Sequence, residues 1–188
     1  MKFIGSAAKL TDGDITRAAK SLECAEASIR AVIEVESSGG GFFKDGRPKI
    51  LFEAHVFSRL TNGRWDGLKI PVGDAVVVVS WPKWERSLYK GGVAEYTRLE
   101  EAMRLDETAA LKAASWGMFQ VMGENHQRCG FQTVHEFVAA MVESEGLHLD
   151  AFTAFVKGNG RLPGADTTLT KGEFGFGRGP LGGNCAAP

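Results

Sequence analysis

The organisation of this chain is decided by a stretch that reads Ala31-Val32-Ile33-Glu34-Val35-Glu36-Ser37-Ser38-Gly39-Gly40-Gly41. Apolar side chains recur at helical spacing and share one face of a helix predicted for residues 26–37: Ile29, Val32 and Ile33. Glu36 follows Ile29 by seven residues and therefore lies on that face. Glu34 lies about 200° from Glu36 around the helix and points elsewhere. The glycines that follow predict the end of the helix.

Glu36 is the strongest candidate for chemistry. Burial on an apolar face disfavours a charged carboxylate, and the negative end of the helix dipole acts in the same direction. Both effects suit a general acid that must hold a proton near neutral pH. The alternative from spacing alone is a helix-terminal glutamate that reaches solvent or bonds the glycine turn.

Composition argues against several classes of function. The 188 residues are 44% hydrophobic and carry a net charge of −1, which suits one globular domain and gives no reason to expect a nucleic-acid partner. No apolar run approaches the roughly 20 residues of a membrane span, and the N-terminus shows no signal-peptide pattern. The three cysteines lack a C-x-x-C pair and favour reduced thiols in a protein made in the cytoplasm.

The remaining pattern predicts a mainly α fold with a small β-hairpin directly after the Glu36 helix. Asp45-Gly46 is a turn signal within residues 42–52, and Pro48 places this hairpin at a sheet edge. Other helices are predicted for residues 11–23, 53–60, 94–105 and 107–114, and from a capping box at Thr133 to about Lys157. We predict one domain at residues 1–157, with two lobes around a cleft, and a diverged or loosely ordered tail at residues 158–188.

The segment over residues 62–92 has little periodicity apart from one possible strand at residues 76–79. Such a long loop within a compact domain is often functional. It contains three of the four tryptophans: Trp65, Trp81 and Trp84. These residues either anchor the loop to the core or, in a sugar-binding protein, stack on the substrate.

A second carboxylate could come from the segment that follows the glycines. Asp45 or Glu53 would lie across a cleft from Glu36 if the hairpin folds back over the helix end. Glycoside hydrolysis often uses such a partner, roughly 5 to 10 Å away. Asp45 is better explained as a turn residue, and His55 as a structural histidine that could also bond either carboxylate. Glu53 has no local explanation and stays a candidate.

Ser115, Gln120 and Asn125 form a second polar set. Gln120 stands among apolar residues, so it must find hydrogen-bond partners if it is buried. It is therefore either a core hydrogen-bonding residue or a substrate-binding one. Neither a metal ion nor another cofactor is expected. The remaining candidate ligands have a spacing that fits no metal site: His126, Cys129 and His135.

Three motifs in order resemble the N-acetylmuramidase family of phage endolysins. They read Glu34-Val35-Glu36-Ser37-Ser38-Gly39-x-Gly41-Phe42, then Gly46-Arg47-Pro48-Lys49-Ile50-Leu51-Phe52-Glu53-x-His55-x-Phe57, then Ala114-Ser115-Trp116-Gly117-x-Phe119-Gln120-Val121-Met122-Gly123-x-Asn125. The resemblance covers roughly residues 10–157. More distantly, Glu36-Ser37 with Ser115-x-Gly117-x-x-Gln120 is similar to the signature of lytic transglycosylases and goose-type lysozymes.

The resemblance implies a lysozyme-like helical fold and a muramidase catalytic domain. It implies cleavage of the β-1,4 bond between N-acetylmuramic acid and N-acetylglucosamine in bacterial peptidoglycan, with Glu36 as the general acid. Gln120 and Ser115 would line the sugar cleft, and we add Asn125 and Ser37 as candidates for substrate binding. The tail departs from the resemblance, because the family's Tyr-Asn-Gly-Pro segment cannot be placed in it.

Two alternatives to a hydrolase stay open from the sequence. A lytic transglycosylase would use the same Glu36 without a second carboxylate, and a cell-wall-binding protein would keep the cleft without turnover. A monomer fits the size and the substrate. With no signal peptide, the resemblance suggests release through a holin-type pore to reach periplasmic peptidoglycan, while a toxin delivered into a rival's periplasm is the other route.

Overall fold

The computed structural model describes residues 3–37 and 39–158. Over these residues the chain is mainly helical, as predicted. The α-helices run α1 Asp12–Leu22, α2 Glu26–Glu36, α3 Ala54–Leu60, α4 Glu95–Leu105, α5 Glu107–Lys112, α6 Val134–Glu143 and α7 Glu145–Gly158. Short 3-10 turns lie at Arg86–Leu88, Gly92–Ala94 and Gly123–Asn125.

Two small antiparallel sheets accompany the helices. In the first, β1 Ile50–Phe52 pairs with β4 Ala114–Trp116, which pairs with β5 Val121–Met122. The second is a hairpin of β2 Lys69–Val72 and β3 Ala75–Val78. The first sheet matters for the site, because it joins the segment after α2 to the segment that contains Ser115 and Gln120.

Local signals explain where the helices begin. Thr11 caps α1 and Thr133 caps α6, each in a capping box with an acidic residue three positions later, Asp14 and Glu136 respectively. Each box pairs backbone N–H groups that a helix start leaves without a partner. The predicted box at Thr133 is therefore confirmed.

The segment predicted as a hairpin closes differently from the expectation. The turn at residues 45–46 forms, with a single antiparallel bridge between Phe42 and Pro48. The strand that follows is not the second arm of an extended hairpin, because β1 pairs with β4 some 60 residues later. The bridge is bonded through its neighbours, from the Phe43 amide to the Arg47 carbonyl and from the Lys49 amide to the Gly41 carbonyl. Pro48 therefore occupies a position that needs no N–H.

The core lies between the helices and the three-stranded sheet. Its fully buried members come from distant parts of the chain: Phe52, Phe57, Leu99, Leu111, Phe137 and Val138. α7 packs against α1 and α6, while α5 packs against α4 and α6. Burial of such side chains contributes about 1.5–3 kcal/mol each, so the helices owe most of their stability to this packing.

The tryptophans of residues 62–92 differ in burial. Trp65 packs against the core and stacks on Phe57, with ring centroids 5.8 Å apart. Trp81 and Trp84 are 39% and 49% exposed. Trp65 therefore anchors this segment to the core, whereas Trp81 and Trp84 are accessible to a ligand.

The C-terminal tail predicted for residues 158–188 lies outside the described residues except for Gly158, which ends α7. In the part of the chain that is described, no helix is long and apolar enough to cross a membrane. Cys24 and Cys129 are both free thiols.

Candidate functional site

Glu36 is the last residue of α2 and is half-buried, whereas Glu34 on the same helix is exposed. This is the difference that helical spacing predicts. Ile29 is buried beneath the same face, at 3% exposure. Among the described residues, the Glu36 carboxyl has no hydrogen bond or ion pair. It is therefore free to bond a ligand.

Ser37 ends α2 and reinforces its last turn. Its hydroxyl donates to the Ile33 carbonyl at 2.6 Å, and its backbone N–H donates to the same carbonyl at 2.8 Å. These bonds satisfy a helix-end acceptor that would otherwise be unpaired. Ser37 thus fixes the backbone next to Glu36.

The backbone after α2 is held by two residues of α7 that the sequence reasoning missed. The Gly41 amide donates to the Glu145 carboxylate at 2.8 Å. His148 accepts a hydrogen bond from the Met118 amide at 3.1 Å. Glu145 and His148 are three residues apart on a helix, among buried apolar neighbours. Polar residues at that spacing on a core face were the signal that could have found them.

Glu53 lies at the N-terminal cap of α3 and is 3% exposed. The Tyr89 hydroxyl donates a hydrogen bond to its carboxylate, and His55 Nδ1 lies 3.3 Å from the same oxygen. Burial raises the pKa of Glu53, while the Tyr89 bond and the charges of His55 and Arg98 oppose that rise. No hydrogen bond or ion pair joins Glu53 to Glu36 within the described ranges.

A buried ion pair supports the Glu53 region from beneath. Glu95 and Arg98 of α4 are 0% and 1% exposed and lie 2.8 Å apart. Arg98 also donates to the Phe52 carbonyl at 2.9 Å, directly before Glu53. Arg98 lies over the Tyr89 ring, 5.4 Å from its centroid. α4 therefore places a positive charge behind the Glu53–Tyr89 hydrogen bond.

Ser115 and Gln120 lie next to each other at the three-stranded sheet. The Ser115 hydroxyl donates to Gln120 Oε1 at 2.9 Å, and Gln120 Nε2 donates to the carbonyls of Gly117 at 2.8 Å and Lys49 at 3.2 Å. Gln120 adopts a left-handed backbone with φ of 49°. Such a conformation in a residue other than glycine costs energy and is common near functional sites.

The other candidates lie elsewhere or have local roles. Asn125 ends a 3-10 turn that packs against α5 and α6. Asp45 pairs with Arg47 at 2.7 Å and accepts its backbone N–H, as a turn residue does. Within residues 3–37 and 39–158, no group of His, Cys, Asp or Glu side chains could hold a metal ion.

The chain resembles proteins of known type in both sequence and structure. A family model described as N-acetylmuramidase matches residues 25–169. The crystal structure of Burkholderia AP3 phage endolysin is 41% identical, with a TM-score of 0.72. The similarity covers 81% of this chain and 55% of that one, so this chain spans a little over half the endolysin's length. A search of curated proteins gave no match.

Proposed function

This chain belongs to the N-acetylmuramidase family, and from that premise we propose that it is a peptidoglycan hydrolase. It cleaves the β-1,4 bond between N-acetylmuramic acid and N-acetylglucosamine as a monomer acting on periplasmic cell wall. The observation that carries the proposal is the Glu36 carboxyl at the end of α2, which has no partner among the described residues. A carboxyl without a partner can bond a glycosidic oxygen without first giving up another hydrogen bond.

Glu36 acts as the general acid. It protonates the leaving oxygen as the glycosidic bond breaks, which offsets the negative charge that would otherwise develop there. Its half-buried position limits its contact with water, and the hydrogen bonds of Ser37 hold the adjoining backbone. General acid catalysis of this kind contributes about 10²- to 10⁴-fold in rate.

Glu53 serves as the second carboxylate. Its side chain is 3% exposed and accepts the Tyr89 hydroxyl, so Tyr89 has to release it before it can activate water or attack the sugar. Burial raises the pKa of Glu53 and the Tyr89 hydrogen bond opposes that rise, so the carboxylate form needs a new donor, such as water or a sugar hydroxyl, once Tyr89 moves away. A lytic transglycosylase would not need this step.

Ser115 and Gln120 offer polar atoms to the sugar, and Ser37 and Asn125 stay candidates for substrate binding. The donors of the Gln120 amide are taken by backbone carbonyls, but its Oε1 retains a lone pair for a sugar hydroxyl or N-acetyl N–H. The Ser115 hydroxyl fixes that oxygen in place. The site therefore presents an oriented acceptor close to the sheet rather than a flexible one.

Exposed aromatic residues supply a stacking surface for the glycan. Trp84 lies 5.9 Å from Tyr89, ring centroid to ring centroid, and Tyr89 contacts Glu53. The flat apolar face of a pyranose packs well on such rings, and carbohydrate sites combine aromatic area with few polar groups. This surface is continuous with the candidate second carboxylate.

The test compares two substitutions on one helix. Glu36→Gln should lower the rate at which a peptidoglycan suspension clears by at least about 100-fold. Glu34→Gln, two residues away and exposed, should lyse like the parent. Equal lysis by Glu36→Gln and the parent would refute the proposed acid. If the parent pellets with cell walls but never clears them, the chain is a binding protein.

Mass spectrometry of the digest separates the two enzymatic reactions. Hydrolysis yields glycan fragments with free reducing ends, because water attacks the sugar. Transglycosylation yields 1,6-anhydro products, because the sugar's own hydroxyl attacks. Reducing ends are expected here, and a Glu53→Gln variant that retains full hydrolysis would remove Glu53 from the mechanism.

A further inference from the structure

Glu145 holds the backbone that leaves the Glu36 helix. It is 3% exposed. Its Oε1 accepts the Gly41 amide at 2.8 Å and its Oε2 accepts the Leu10 amide at 3.0 Å. Lys9 reaches in from the surface, and its Nζ forms an ion pair with Glu145 Oε1 at 3.1 Å. Both carboxylate oxygens are thus committed to the backbone of segments far away in the sequence.

His148 acts one helical turn further along α7. Its Nδ1 accepts the Met118 amide at 3.1 Å and its Nε2 donates to the Met141 carbonyl at 2.7 Å. The imidazole occupies the space that a Cβ would take at two glycines. A Cβ on Gly41 would lie 2.4 Å from Nδ1, and one on Gly117 would lie 2.8 Å from it. Only glycine allows this close approach.

The two segments that α7 holds are also bonded to each other. The Lys49 amide donates to the Gly41 carbonyl at 2.8 Å. The Lys49 carbonyl accepts the Gly117 amide at 2.8 Å and the Gln120 side chain at 3.2 Å. The backbone five residues after Glu36 is therefore in fixed register with the turn that carries Gln120.

We propose that Glu145 and His148, the α7 clamp, are positioning residues that set Glu36 relative to Gln120. This inference rests on the proposed function. Without the clamp, the glycines at 39–41 would be free to adopt many conformations, because glycine has few steric limits. Displacement of a catalytic group by about 1 Å can cost about 100-fold in rate, and such groups depend on the residues behind them.

Both clamp residues hold the charge state that these bonds need. Burial opposes ionisation of Glu145, but hydrogen bonds from the Gly41 and Leu10 amides and from Lys9 outweigh it and lower the pKa of Glu145. Burial lowers the pKa of His148 against the opposing effects of Met141 and Glu145. Glu145 is accordingly an anion and His148 a neutral imidazole at neutral pH.

The test replaces an acid by its amide at two positions of α7. In Glu145→Gln, one of the two backbone amides faces an NH₂ group instead of an oxygen. In the control Asp150→Asn, the lost partner is Arg17 in a surface pair at 2.9 Å. We expect Glu145→Gln to lower kcat at least tenfold with KM within twofold, at a temperature where circular dichroism shows full folding. Asp150→Asn should retain parental kcat.

Hydrogen exchange without substrate gives an independent measurement. Glu145→Ala, which removes both acceptor oxygens, should lose amide protection at Gly41, and Asp150→Asn should not. The positioning role is overturned if protection at Gly41 is unchanged, if kcat is unchanged, or if the control loses as much activity. If the parent cleaves no peptidoglycan, the positioning role and the proposed function are both overturned. This outcome is recognised because the exchange difference between the variants persists although no variant turns over substrate.

Discussion

Two arginines of α4 allow the effect of burial on an ion pair to be isolated. Arg98 pairs with Glu95 and Arg104 pairs with Glu101, each three residues apart and each at 2.8 Å. The side chains of the first pair are 1% and 0% exposed, while Arg104 is 74% exposed. The perturbation is Arg98→Met, which keeps the apolar stem and removes the charge.

The expected loss follows from what Glu95 and Phe52 would lack. Arg98→Met removes a donor at 2.8 Å from Glu95 and another at 2.9 Å from the Phe52 carbonyl, with no solvent to replace them. Breaking a buried pair costs about 3–5 kcal/mol. The backbone amides of Lys90 and Gly91 still donate to Glu95, so we expect about 3 kcal/mol.

Urea denaturation followed by circular dichroism measures the free energies of unfolding. At about 2–4 °C per kcal/mol for a chain of this size, Arg98→Met should also lower Tm by roughly 6–12 °C. The control Arg104→Met should cost no more than about 1 kcal/mol, because the Arg104 guanidinium is exposed to water although Glu101 is only 9% exposed. The reasoning is refuted if the two variants lose the same stability, or if Arg98→Met loses less than about 1 kcal/mol.

Three further predictions concern single side chains. Burial raises the pKa of Glu53 in the folded protein. Its contribution to stability is therefore fully present at a pH below the ordinary glutamate pKa and is lost as the pH rises through the pKa of the folded state. Glu53→Gln should therefore gain stability relative to the parent from pH 5 to pH 8, by at most about 1.4 kcal/mol per pH unit, and a constant difference in denaturation midpoints would contradict this. Thr153 is 5% exposed and its hydroxyl has no partner among the described residues. Thr153→Val should thus stabilise by about 1 kcal/mol in urea, whereas Thr61→Val, which loses a 2.8 Å bond to a helix carbonyl, should not. Trp84→Ala should raise KM about fivefold with kcat unchanged, equivalent to about 1 kcal/mol, and Leu68→Ala, another exposed apolar residue, should leave KM as it was.

Local patterns predicted helix α2 and its orientation. The spacing of Ile29 and Glu36 places both on one face, and the structure has Glu36 half-buried where Glu34 is exposed. Capping boxes are equally local, because Thr133 and Glu136 complete each other's hydrogen bonds within one turn. These features depend on residues fewer than eight positions apart, so the sequence contains them directly.

Pairings across long separations could not be predicted in the same way. The periodicity near Ile50 indicates a strand but does not identify Trp116 as its partner. The expected hairpin forms around the turn at residues 45–46, but its pattern did not reveal that Ile50–Phe52 joins a sheet with Ala114–Trp116. The partner of a strand depends on which sheet edge the packed helices leave open, and that is a property of the folded molecule.

The sequence by itself determined the helices, their caps, the family resemblance and the candidate acid. Each rests on side-chain type and spacing along a short stretch. Tertiary structure alone decided that Glu53 is buried against Tyr89, that the donors of Gln120 are taken by backbone carbonyls, and that Glu145 holds the glycine turn 104 residues away. The environment of a polar side chain is set by whichever elements pack around it, and those elements are brought together only by the folded core.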